Sequence, residues 1–288
     1  MRLGTVEGGL VDQMRDHVTR LGKLFLQLRD SLLSHAIVLP FIDKVAAFTI
    51  SANRRFSSTL PAIRGTCRRM ARDIKICGLK TDEALAAALD SGASHVGFIF
   101  FAKSPRNIVP ADAGRLRQAA RGRAQAVAVT VDADNAFLDE IVAAMAPDML
   151  QLHGSESPER VADVKARYGL PVMKAFSLRE AGDLAALAPY RGVADRFLFD
   201  AKPPKGSELP GGNGVSFDWR ILTSLDADLD YMLSGGLNAG NVGEALAIAN
   251  PPGLDISSGV ESAPGVKDVR LIAAFFETVR SAEAKSAA

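Results

Sequence analysis

Cysteine is nearly absent from this 288-residue chain, which has only Cys67 and Cys77, and histidine (four), tyrosine (three) and tryptophan (one) are scarce as well. Two thiols ten residues apart, with no Cys/His cluster around them, suggest neither a disulfide framework nor a structural zinc site. The expected setting is a reducing cytoplasm, with no metal and no cofactor required. Long apolar runs are missing too: none approaches the ~20 residues that a membrane span needs. An excess of one charge is also lacking, with 34 Lys and Arg against 33 Asp and Glu. What remains, 48% hydrophobic residues, is the make-up of a globular protein. At this length one large α/β barrel or two ordinary domains would bury enough apolar surface to fold.

The charge balance hides two unlike parts. Residues 1–72 hold 12 basic and 5 acidic residues, a net +7, which leaves 22 basic and 28 acidic residues and a net −6 for 73–288. The first part reads as an N-terminal extension and linker, partly helical or disordered. Leu21, Leu24, Phe25, Leu28 and Leu32 mark a helix-like stretch over about 11–36, Pro40 lies beyond it, and a polar, basic run with Pro61 and Gly65 follows. Three readings stand for it: a targeting peptide, a membrane-surface or partner-binding helix, or an upstream extension outside the working protein, with Met70 as the initiator. No secretory signal pattern is present, and five acids argue against an organelle transit peptide.

From Asp73 onward short apolar runs alternate with amphipathic segments. Strands are predicted at 73–77, 94–100, 125–131, 148–152, 171–176, 195–200, 229–234 and 253–258. Helices are predicted at about 81–91, 110–120, 134–145, 156–168, 178–188, 217–224, 239–249 and 266–281, several opened by capping residues such as Thr81, Asp134 and Ser155. Strict alternation implies parallel strands with right-handed crossovers, and eight units make a (β/α)8 TIM barrel over 73–288. An open doubly wound sheet is the weaker alternative, because no GxGxxG follows the first strand.

In such a barrel function sits at the C-terminal strand ends. Those ends carry Cys77-Gly78, Lys103-Ser104-Pro105-Arg106, His153-Gly154, Asp200, Ser234-Gly235-Gly236 and Ser257-Ser258-Gly259-Val260-Glu261. Glycines after strands 7 and 8 let backbone N–H groups approach an anion, the conventional barrel phosphate site; the bland reading is that Gly235, Gly236 and Gly259 only permit tight turns. Arg106 has the planar fork for a substrate carboxylate, or is a solvated loop charge. Cys77 and Asp200 are the proton-transfer candidates, on strands far enough apart to flank a substrate. Lys75, two residues along the same strand, is a possible neighbour that would favour a thiolate. Against these stand a small buried hydrophobe for Cys77 and a loop acceptor for Asp200. His153 touches substrate or supports the mouth. His17, His35 and His95 lie away from that face, so a histidine triad or metal site has no material. An acidic barrel and an extension without interleaved aromatics speak against nucleic acid. The expected partner is a small phosphorylated molecule; a monomer and a homodimer are both open.

Seven motifs, in order, resemble phosphoribosylanthranilate isomerases: Lys75-Ile76-Cys77-Gly78, Gly97-Phe98-Ile99-Phe100 with Lys103-Ser104-Pro105-Arg106, Gln151-Leu152-His153-Gly154, Phe199-Asp200-Ala201-Lys202, Gly211-Gly212-Asn213-Gly214 with Phe217-Asp218-Trp219, Leu233-Ser234-Gly235-Gly236-Leu237, and Asp255-Ile256-Ser257-Ser258-Gly259-Val260-Glu261. The resemblance covers about residues 73–280. It implies a (β/α)8 barrel that converts N-(5-phosphoribosyl)anthranilate to 1-(2-carboxyphenylamino)-1-deoxyribulose 5-phosphate in tryptophan biosynthesis, without cofactor or metal. It also implies Cys77 as general base, Asp200 as general acid, Arg106 on the anthranilate carboxylate, and the Gly235-Gly236 and Ser258-Gly259 loops on the phosphate. The acid role requires Asp200 to hold a proton at working pH, which a partly desolvated site favours. Two rivals are the related histidine-pathway aminoaldose isomerase, which uses two aspartates and so is opposed by Cys77 at the base position, and a non-catalytic phosphate-sugar binding barrel.

Overall fold

The computed structural model describes residues 72–202, 211–212 and 214–287. The helix, linker and initiator expectations for residues 1–71 lie outside the described residues.

Eight parallel strands close into a barrel in chain order. They are β1 (Asp73–Cys77), β2 (His95–Phe100), β3 (Gln125–Thr130), β4 (Met149–Leu152), β5 (Val172–Leu178), β6 (Arg196–Ala201), β7 (Tyr231–Leu233) and β8 (Gly253–Ile256). Helices α1 (Asp82–Ser91), α2 (Pro110–Ala120), α3 (Asn135–Met145), α4 (Pro158–Tyr168), α5 (Val242–Ala249) and α6 (Val269–Ala287) fill the crossovers, with 3-10 helices Ala181–Tyr190 after β5 and Trp219–Ser224 after β6. Because side chains alternate along a strand, each strand feeds two cores. Ile76, Phe98, Leu150 and Phe199 point outward and pack with the helices. Cys77, Val127, Val129, Met149, Met173, Leu198 and Met232 fill the interior. At the strand N-termini the interior is closed by charge, with Arg196 bridging Asp73 at 2.8 Å and Asp230 at 3.0 Å.

Local chemistry explains the elements and the departures from expectation. Thr81 and Asp134 cap α1 and α3 through side-chain oxygens on the amides of Ala84 and Phe137. The cap of α4 is Ser157 rather than Ser155, because Pro158 takes the first helical position, where its missing N–H is not needed. The two segments after β5 and β6 wind as 3-10 rather than α-helices. One carries Pro189 inside it, and the other is six residues long. The last predicted helix starts three residues late, since a two-stranded hairpin, β9 (Glu261–Ala263) and β10 (Val266–Lys267), intervenes and turns at Gly265 with φ +80°. No described helix is long and apolar enough to cross a membrane.

Candidate active site

The C-terminal strand ends enclose a cavity of about 660 Å³, counted out to open solvent, and Cys77, Arg106, His153, Asp200, Gly235, Gly236 and Ser258 all line it. Of the residues expected at the site, Gly259 alone is set back: a methyl group on its α-carbon would lie 1.8 Å from the Leu237 carbonyl, so this glycine lets two loops touch. Gly235 and Gly236 adopt φ of +88° and +64°, a backbone that side chains other than glycine rarely tolerate.

Cys77 ends β1 and Asp200 lies near the end of β6. The thiol is buried, and burial pushes its pKa up. Lys75 and Lys267 pull in the other direction while Asp255 adds to the rise. The expected lysine neighbour is therefore present, but in the free protein it does not overcome burial. Asp200 is 4% exposed, and its Oδ1 accepts the Ala201 amide at 2.8 Å. Its Oδ2 faces His153 Nε2 at 3.5 Å. His153 Nδ1 lies 2.8 Å from the Gln151 side-chain amide nitrogen, a contact that with that nitrogen donating places the ring proton on Nε2, toward Asp200. Behind the ring, Glu156 holds the loop by accepting the amides of Asp132 and Gly154 and pairing with buried Lys174 at 3.0 Å. Gly211, between β6 and β7, lets the backbone pass close to this pair, since a methyl group there would lie 2.4 Å from Asp200 Oδ2 and 2.7 Å from His153 Nε2.

Arg106 is not a solvated loop charge. Its Nε and Nη2 donate to the two carboxylate oxygens of Glu261, both at 2.8 Å, and Nη2 also reaches the Gly212 carbonyl at 3.3 Å. Glu261 in turn takes Lys267 at 2.7 Å and the Gly265 amide at 3.1 Å, and its carboxyl is held below the usual range by Arg106 and Lys267 against the cost of burial. One edge of the guanidinium is thus fixed, and Nη1 takes no part in these bonds. Three members of this site went unassigned from sequence: Glu261, Lys267 and Asp255. Glu261 and Asp255 belong to the strand-8 motif quoted for the resemblance. Lys267 sits on the unforeseen hairpin, where nothing local signals it. Among the described residues no group of His, Cys, Asp and Glu is placed to hold a metal ion.

Known proteins are similar to this chain over its barrel. A model of the N-(5'-phosphoribosyl)anthranilate (PRA) isomerase family covers residues 74–278. The N-(5'-phosphoribosyl)anthranilate isomerase of Mesorhizobium japonicum is 76% identical over 219 residues, spanning 76% of this chain and all of that one. The Brucella canis protein of the same name is 73% identical over 216 residues, 75% of this chain and 97% of its own. Among solved structures, phosphoribosyl anthranilate isomerase from Thermotoga maritima is 32% identical with a TM-score of 0.66, covering 73% of this chain and 99% of that one. Another, of a phosphoribosyl anthranilate isomerase in complex with reduced 1-(o-carboxyphenylamino)-1-deoxyribulose 5-phosphate, is 30% identical with a TM-score of 0.64 and covers the same shares. With a family match across most of the chain and relatives this similar over their full length, the chain belongs to the phosphoribosylanthranilate isomerase family.

Proposed function

We infer that this chain isomerises N-(5'-phosphoribosyl)anthranilate to 1-(o-carboxyphenylamino)-1-deoxyribulose 5-phosphate, with Asp200 as general acid and Cys77 as general base. The observation that carries the reading is the presence of a thiol and a carboxyl on different strands of one cavity at the barrel mouth, with Arg106 lining the same space. Asp200, protonated, gives its proton to the ribose ring oxygen as the C1–O bond breaks, and the nitrogen lone pair forms the protonated Schiff base. Cys77, as thiolate, then takes the proton from C2; the C–H electrons form C1=C2 and neutralise the iminium, leaving an enolamine. Tautomerisation moves a proton from the C2 hydroxyl to C1 and yields the ketose.

His153 Nε2 stands 3.5 Å from Asp200 Oδ2 without a hydrogen bond between them, and this buried nitrogen is left to meet the sugar. Arg106 binds the anthranilate carboxylate through its Nη1 edge. The loops at Gly235-Gly236 and Ser258-Gly259 hold the phosphate. A barrel of net negative charge needs such local donors, since its overall field repels a dianionic ligand. The reaction runs in the cytoplasm.

The test is turnover of the phosphoribosyl substrate by Cys77→Ala and Asp200→Asn. Each is expected to lower kcat by about 10²- to 10⁴-fold while the reduced product analogue still binds. Near-normal turnover in either variant would remove that residue from the proton-transfer steps.

A further inference from the structure

Lys75 is completely buried in the barrel interior, an unfavourable place for an ammonium without compensation. Asp255 Oδ1, at 2.8 Å, is the oxygen it is hydrogen-bonded to, while Asp255 Oδ2 takes the Ser234 hydroxyl at 3.3 Å. One carboxylate oxygen uses one of three N–H groups. The end of the lysine stem comes close to the sulfur: a methyl group on Gly97, the β2 partner of Cys77, would lie 3.0 Å from Lys75 Cε and 3.1 Å from Cys77 Sγ. The two side chains therefore meet over one α-carbon that carries nothing. The charged groups acting on the thiol are Lys75 on β1, Asp255 on β8 and Lys267 on β10, with Arg106 and Asp200 lining the same cavity. Each lysine is tied to a carboxylate, Lys267 to Glu261 at 2.7 Å and Lys75 to Asp255 at 2.8 Å, and of the two Lys75 exerts the larger pull on the thiol.

We propose that Lys75 is the positioning residue of the thiol: held by Asp255, its buried side chain lies close to Cys77 and favours the thiolate during the reaction. The inference rests on the reading of Cys77 as base. A pair that merely tied β1 to β8 would suffer alike from loss of either member. The present assignment demands opposite effects, because Lys75 favours the thiolate and Asp255 opposes it.

The experiment uses the full chain carrying Cys67→Ser, so that iodoacetamide reports Cys77 alone. The pH dependence of alkylation is compared in this background and with Lys75→Met or Asp255→Asn added, folding being checked by circular dichroism. Lys75→Met is expected to move the alkylation midpoint up by about one pH unit or more, and Asp255→Asn to move it down. An unmoved midpoint in Lys75→Met, or a shift of the same sign in both variants, would overturn the assignment. If Lys75→Met does not fold, the sign of the Asp255→Asn shift decides. Turnover separates the two claims. Opposite alkylation shifts with a kcat/KM pH profile that follows them support both. Opposite shifts with an unmoved profile keep Lys75 at the thiol and remove Cys77 from the base role.

Discussion

The proposed reaction needs a thiolate at Cys77, and the free protein resists it, because burial holds the Cys77 proton on. Alkylation of Cys77 in the full chain with Cys67→Ser is accordingly expected to reach its midpoint above the ordinary thiol value of about 8.5; a midpoint below that value would mean that Lys75 and Lys267 outweigh burial. Arg106 acts differently, through binding. Removing its guanidinium leaves Glu261 paired with Lys267 and deprives the anthranilate carboxylate of its donor. Arg106→Ala is therefore expected to raise KM by roughly 10- to 100-fold, with kcat changed far less, a split that steady-state kinetics reads directly. Residues of this kind were legible from sequence because strand ends in a barrel converge on one face. Cys77, Arg106, His153, Asp200, Gly235, Gly236 and Ser258 do share a cavity. Their partners were not legible. That Arg106 is gripped by a carboxylate 155 positions further on depends on closure of the whole ring.

At the scale of elements, periodicity located all eight strands and placed a helical segment in every crossover, since alternation and amphipathic spacing are local signals. It failed where the backbone choice is not local. The segments at Ala181–Tyr190 and Trp219–Ser224 have the composition of helices yet wind as 3-10, and the β9–β10 hairpin is too short to carry a period. That hairpin matters for the site, because it carries both Glu261 and Lys267. Glu261→Gln keeps the shape of the clamp but replaces one charged acceptor by a neutral amide, which cannot receive both Arg106 and Lys267 as well. The expected result is a rise in KM for the carboxylated substrate of about tenfold. An analogue without the anthranilate carboxylate should show little change, and an equal loss on both substrates would show that the hairpin serves the barrel rather than Arg106.

For the whole molecule, the end of the barrel opposite the active site is expected to limit stability in acid. His95 begins β2 and is 4% exposed, within reach of Asp73, Arg196 and Lys75, and its Nδ1 lies 2.8 Å from the Ser94 hydroxyl. Burial is the largest cause that lowers its pKa to about 4; Arg196 and Lys75 add to the effect and Asp73 opposes it. Between the ordinary value of 6.5 and about 4 the unfolded chain binds a proton at this imidazole and the folded chain does not. Stability is then full above pH 6.5 and is lost as the pH falls toward 4. Two and a half pH units correspond to about 3 kcal/mol at pH 4. Carboxylates also titrate in this range, so the wild-type curve alone does not isolate the histidine. His95→Gln keeps a neutral polar side chain that cannot take the proton. In urea unfolding between pH 7 and pH 4, wild type is expected to lose about 3 kcal/mol more than His95→Gln, and parallel curves would show that the imidazole is protonated without opening the barrel.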